Sequence, residues 1–124
     1  MQTVIKGKRI KGNSLGQQLG FPTINLEYNG KENGVFAGDI VLASKHCLAA
    51  VSIGARPTIN DEQPLCEIYI LDWNGEVKPG EEVKLILKQK IREIKKFKDL
   101  AELKLEIAKD VETIRKLYPK NDLI

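Results

Sequence analysis

Glu67 occupies a setting that ordinarily repels a carboxylate. It interrupts Leu65-Cys66-Glu67-Ile68-Tyr69-Ile70-Leu71, an almost wholly apolar run with the composition of a buried strand. Strand alternation puts it on one face with Leu65, Tyr69 and Leu71 and puts Cys66, Ile68 and Ile70 on the other, so neither face is polar. A carboxylate there carries a desolvation cost that something must offset. It lies near a strand end, pairs with a lysine or arginine, or works as an acid or base. A second candidate is Gly20-Phe21-Pro22-Thr23-Ile24-Asn25. Two apart in an extended segment, Thr23 and Asn25 turn their side-chain oxygens to one side. Two neutral oxygens suit magnesium, which keeps several waters and takes further oxygens from substrate phosphates. The plainer alternative is a turn shaped by Pro22 and Asn25.

Other segments carry weaker signals. Gly12, Gly16 and Gly20 space a loop whose backbone N–H groups can approach phosphates, but it lacks the Lys-Ser or Lys-Thr of a P-loop and no helix follows it. Lys88, Lys90, Arg92, Lys95, Lys96 and Lys98 read as a solvated basic face, or as one that receives anions. His46 stands alone in a hairpin turn and belongs to no nucleophile–base–acid set. Cys47 and Cys66 lie in apolar segments without a CxxC motif and read as buried free thiols.

Short strands must position these groups. Alternation and turn formers predict strands over residues 2–10, 23–26, 35–43, 47–53, 65–71 and 81–91, with a hairpin turn at 44–46 and a long loop over 54–64. After Phe97 the period changes. Leu100, Leu103, Ile107, Val111, Ile114 and Leu117 recur at steps of three and four, Asp99 with Glu102 resembles a capping box, and Pro119 ends the helix soon after Tyr118. Several strands followed by one helix imply an antiparallel barrel or sandwich that the helix covers.

Composition sets the outer bounds. The length of 124 residues suits a single domain, 1–124, and 42% hydrophobic with 30% charged residues suits a soluble globular protein. No apolar stretch approaches the roughly 20 residues of a membrane span, and residues 1–9 lack the features of a secretory signal, so the expected location is cytoplasmic, with no membrane partner. The net charge of +3 suits a protein that handles a polyanion such as ATP. With 6% aromatic residues and no aromatic–basic interleaving, no nucleic-acid partner is expected, and a basic barrel for single-stranded nucleic acid ranks low.

Taken in order, the segments resemble the riboflavin kinase family, best known as the C-terminal domain of bacterial bifunctional riboflavin kinase/FAD synthetases. The resemblance rests on a glycine loop running into Leu19-Gly20-Phe21-Pro22-Thr23-Ile24-Asn25-Leu26, then Gly34-Val35-Phe36-Ala37-Gly38 and Val51-Ser52-Ile53-Gly54-Ala55-Arg56-Pro57-Thr58. Glu67-Ile68-Tyr69-Ile70-Leu71-Asp72-Trp73, Ile91-Arg92 with Lys96-Phe97, and a helix with Ile107 and Asp110 complete it.

The resemblance implies a six-stranded antiparallel Greek-key β-barrel with a C-terminal α-helix. It implies ATP and riboflavin as substrates, FMN as product, and Mg²⁺ held by Thr23 and Asn25. Glu67 falls on the catalytic glutamate, and Gly12, Gly16, Gln17, Pro22, Thr23 and Asp72 on the ATP site. Arg92, Lys95 and Phe97 match the mobile loop that closes over the flavin. An N-terminal FMN adenylyltransferase domain is implied for a longer form of the protein. The chain departs from the pattern at Leu15 and Gln17, where basic residues are usual, at Lys78-Pro79, where a Tyr-Gly pair is usual, and at Glu93, where proline is expected. A catalytically weak flavin-binding regulatory module is the alternative these departures raise.

Overall fold

Residues that alternate in and out must find a closed interior for one face and a second cover for any apolar residue on the other. The computed structural model describes residues 3–10, 20–21, 23–28, 30–43, 45–56, 61–73 and 75–119, with backbone alone at 55–56 and 61–64. Six strands, β1 (Val4–Ile10), β2 (Ile24–Glu27), β3 (Gly34–Leu42), β4 (Lys45–Arg56), β5 (Asp61–Ile70) and β6 (Glu82–Arg92), precede the helix α1 (Leu100–Leu117). The strands close into a barrel of order β1-β2-β5-β4-β3-β6 in which every neighbour is antiparallel. Pairing of β2 with β5 across the β3–β4–β5 meander makes the connection a Greek key, as expected.

The interior is apolar and narrow. Leu26, Ile40, Val51, Ile53, Cys66, Ile68 and Leu85 are wholly buried there, each aliphatic side chain contributing about 1.5–3 kcal/mol by burial. Gly38 gives room for this packing, because a Cβ at its position would meet Val51 Cγ2 at 2.7 Å and Leu85 Cδ1 at 3.0 Å. Val77, from the β5–β6 connection, joins the same core, and its carbonyl accepts a hydrogen bond from the Arg9 guanidinium. Both cysteines are buried and free.

A second apolar cluster lies outside the barrel. Ala37 of β3, Leu48 of β4 and Leu71 after β5 are buried under Val111 and Ile114 of α1, with Phe21, Tyr69 and Ile91 packed around them. Cover by the helix explains why the outer face of β5 turns apolar beyond Glu67, at Tyr69 and then at Leu71 just past the strand end. Asp99 caps the helix, its Oδ1 accepting from the Glu102 N–H at 2.9 Å, and Tyr118 is the C-cap just before Pro119. The ends of the predicted apolar stripe reach past the barrel, which leaves Leu100 and Leu117 exposed.

One expected element is corrected. Residues 54–64 do not form a long loop: β4 runs on to Arg56 and β5 begins at Asp61, leaving four residues, 57–60, outside the described ones. Between the pairs Gly54↔Leu65 and Arg56↔Asp61 the register shifts, with more residues on β5 than on β4. Pro64 falls in that irregularity, where its missing N–H breaks no regular ladder. Gly54 adopts φ 135°, a backbone conformation that favours glycine.

Burial, with a smaller contribution from Glu67 alongside, pushes the Cys66 thiol up to about 12. At pH 8 roughly one thiol in 10⁴ is then ionised. Cys66 is expected to resist a thiol-specific reagent at pH 8 while the barrel is closed and to react promptly in denaturant. Reaction in the native state at the denatured rate would show that the interior opens.

Candidate active site

Register places the candidate residues more tightly than sequence spacing can. On β2, Ile24 and Leu26 point into the barrel, so Asn25 between them points out. Asn25 lies directly opposite Glu67 of β5, Glu67 opposite Ser52 of β4, Ser52 opposite Val35 of β3, and Val35 opposite Arg92 of β6. The five residues form one transverse row on the outer surface. At about 4.8 Å per strand, Arg92 is about 14 Å from Glu67 along the sheet. The row runs beside the ground covered by α1, since Tyr69, two residues beyond Glu67, already packs in the helix cluster.

Asn25 is 4% exposed, and its Oδ1 has no hydrogen-bond partner among the described residues. An orphaned buried carbonyl oxygen costs about 1–3 kcal/mol, and Asn25 Oδ1 is one of three such buried side-chain atoms among the described residues, with Arg9 Nε and Asp39 Oδ1. A hard oxygen-seeking cation fits that atom, with half-buried Thr23 two residues before it. Glu67 is half-buried at the centre of the row.

At the far end of the row three groups converge. Two irregularities on β6, opposite Val35/Phe36 and Phe36/Gly38, end the inward–outward alternation that holds from Val83 to Leu87. Ile91 packs in the helix cluster and Arg92, beside it, reaches α1 as well. Arg92 Nε donates to Asp110 Oδ1 at 2.9 Å and Nη2 to Oδ2 at 2.8 Å, a fork-on-carboxylate pair. Lys95 Nζ meets Glu106 Oε1 at 2.9 Å. Both cations lie over the buried Phe97 ring, at 5.6 and 5.5 Å from its centroid. Within the basic run Arg92 and Lys95 are thus tied to the helix, whereas Lys90, Lys96 and Lys98 are exposed as expected.

Asp72 lies elsewhere. It follows β5 with φ 53°, and its Oδ2 accepts from Arg115 Nη1 at 2.6 Å. It borders a cleft of about 410 Å³ shared with Trp73, Tyr118 and His46. His46 is not solitary, since its Nδ1 is 2.7 Å from Asp39 Oδ2. Gly12, Gly16, Gln17 and Pro22 lie outside the described residues.

Sequence reading assigned no role to Ser52, Glu106 or Asp110. Ser52 carries no local signal, because only strand pairing puts it beside Glu67. Glu106 and Asp110 do carry one: carboxylates four apart share a helix face, and Asp110 stands next to the apolar stripe beside Val111.

Comparison with known proteins follows from this geometry. A family model described as Flavokinase, riboflavin kinase, matches residues 1–118. The chain is 32% identical over 119 residues to an RNA-binding riboflavin kinase of Bacillus subtilis, covering 94% of the chain and 51% of that protein. To a bifunctional riboflavin kinase/FMN adenylyltransferase of Haemophilus influenzae it is 36% identical over 118 residues, covering 92% of the chain and 38% of the relative. The chain thus spans about half or less of these relatives. Among solved structures, riboflavin kinase from Trypanosoma brucei superposes with a TM-score of 0.65 at 26% identity, over 97% of this chain and 82% of that one. A chain described as a macrolide-efflux protein from Streptococcus pneumoniae gives 0.79 at 27% identity, over 92% of this chain and 38% of that one.

The tether at Lys95 has a sign that pH reveals. The hydrogen bond from Lys95 holds the Glu106 carboxyl below its ordinary value of 4.5, against a smaller opposing effect of burial. A depressed folded-state value means that the pair stabilises the fold above pH 4.5 and ceases to do so as pH falls further. Lys95→Ala is expected to cost a few tenths of a kcal/mol to about 1 kcal/mol at pH 7, because Lys95 is half exposed. The difference from wild type should shrink below pH 4.5 in denaturant melts, and a difference that grows with acid would contradict the pairing.

Proposed function

Because the chain belongs to the riboflavin kinase family, whose model spans residues 1–118, we propose that it transfers the γ-phosphate of ATP to the 5′-hydroxyl of riboflavin, giving FMN. The observation that carries this reading is the transverse row. It sets an orphaned oxygen at Asn25, a carboxylate at Glu67 and the Arg92–Lys95–Phe97 cluster along one outer surface. That order is the order of a phosphate donor, an acceptor hydroxyl and the planar ring joined to it by a sugar-like chain.

In this reading Thr23 and Asn25 would hold magnesium, which would supply positive charge for the phosphates. Glu67 accepts the proton of the ribityl hydroxyl as its oxygen attacks the γ-phosphorus, and ADP departs. Arg92, Lys95 and Phe97 hold the flavin, which fixes the distance from its ring to Glu67. By family resemblance Gly12, Gly16, Gln17, Pro22, Thr23 and Asp72 bind the nucleotide. Most of the rate comes from positioning, because phosphoryl transfer needs little covalent help. FMN adenylylation, named for some relatives, is assigned to no residue of this chain.

Incubation with riboflavin, ATP and magnesium, followed by chromatography, should yield FMN. Glu67→Gln keeps shape and reach but cannot take the proton, so turnover should fall roughly 10²–10⁴-fold with little change in melting temperature. A loss of stability on the order of 3–5 kcal/mol would instead make Glu67 half of a structural ion pair. Asn25→Ala should raise the magnesium requirement with little change in melting temperature, since Oδ1 makes no hydrogen bond among the described residues. Wild-type activity of Asn25→Ala at limiting magnesium would refute the ligand assignment.

A further inference from the structure

Arg92 has little of its hydrogen-bonding edge left for a ligand. Its Nε and Nη2 face the Asp110 carboxylate, and Nη1 donates to the Glu93 carbonyl at 3.1 Å. What remains is the flat guanidinium, whose central carbon lies over the Phe97 ring at 5.6 Å from its centroid. We infer that Asp110 is a positioning residue: by occupying the N–H edge of Arg92, it makes the loop offer a stacking face to a planar, uncharged ring. The inference rests on the kinase reading and deepens it.

Burial supports this role. Asp110 is 6% exposed, whereas ion pairs elsewhere on the helix, such as Lys116–Glu112, are open to solvent. Burial pushes the Asp110 carboxyl up while Arg92 pulls it down, so the pair is held at a desolvation cost that a mere surface tether would not carry. Glu106, one helical turn earlier, is 3.6 Å from Arg92 and 2.9 Å from Lys95. Two carboxylates of one helix face thus neutralise the two cations that lie over one ring. A cluster without net charge recognises a ring by stacking and does not hold an anion by charge.

The test compares Asp110→Asn, Arg92→Lys and the double variant at a temperature where all are folded by circular dichroism. Riboflavin affinity is read from quenching of flavin fluorescence, and KM is measured separately for riboflavin and ATP. Asp110→Asn should weaken riboflavin binding roughly 10- to 100-fold and raise its KM in step, with the KM for ATP within twofold of wild type. Arg92→Lys should lose a similar factor and the double variant no more, as for two residues acting as one unit. Should Asp110→Asn fail to fold, Asp110→Glu keeps the charge but displaces the fork, and the same loss is expected. Unchanged riboflavin affinity in a folded Asp110 variant, or losses that multiply in the double variant, would overturn the inference alone. A wild-type protein that neither binds riboflavin nor makes FMN would overturn the kinase reading and this inference with it.

Discussion

Closure of a six-stranded sheet commits one face of every strand to a small interior, and much else in the molecule follows from that commitment. The interior is filled by aliphatic side chains, Phe36 and two thiols, with Gly38 where a Cβ would crowd Val51 and Leu85. The polar side chains of Asn25, Glu67 and Ser52 stand on the outer face of the sheet, where strand pairing sets them side by side.

Pairing β2 with β5 is the step that assembles the row. It brings Asn25 against Glu67, and the β4 partner adds Ser52 on the other side. Because backbone hydrogen bonds hold each strand on both sides, these groups sit on a rigid support rather than on loops. A polar row in such a setting is tolerated because α1 and Phe21 cover the apolar ground next to it and leave the row itself at the border.

The helix then acts twice. Its apolar stripe closes the outer cluster through Val111 and Ile114, and its polar flank ties down the segment that follows β6 through Glu106 and Asp110. The irregular end of β6 is what permits the second contact, since regular alternation would not send both Ile91 and Arg92 to the helix side. Packing and the geometry of the Arg92–Lys95–Phe97 cluster thus share one element, and a change that shifts α1 alters that cluster as well as stability.

Much of this was legible along the chain because it depends on neighbours only. Alternation in Val83, Leu85 and Leu87 marked a half-buried strand, the three-and-four spacing from Leu103 to Ile114 marked a helix, and Asp99 marked its start. The family resemblance, resting on ordered short motifs, named the candidate site residues. The loop predicted over 54–64 shows where local reading stops: two prolines and polar residues argue for a loop, but pairing across the barrel recruits most of that segment into β4 and β5.

Sequence by itself determined the periodicities, the buried thiols and the oddity of a carboxylate in an apolar strand, because each is a property of a residue and its near neighbours. Tertiary structure alone decided that Asn25 faces Glu67, that Ser52 stands beside them, and that Arg92 spends its edge on Asp110. Those contacts join residues far apart in the chain. Their geometry is set by strand register, by two irregularities in β6 and by the seat of one helix, and closure of the barrel imposes all three together.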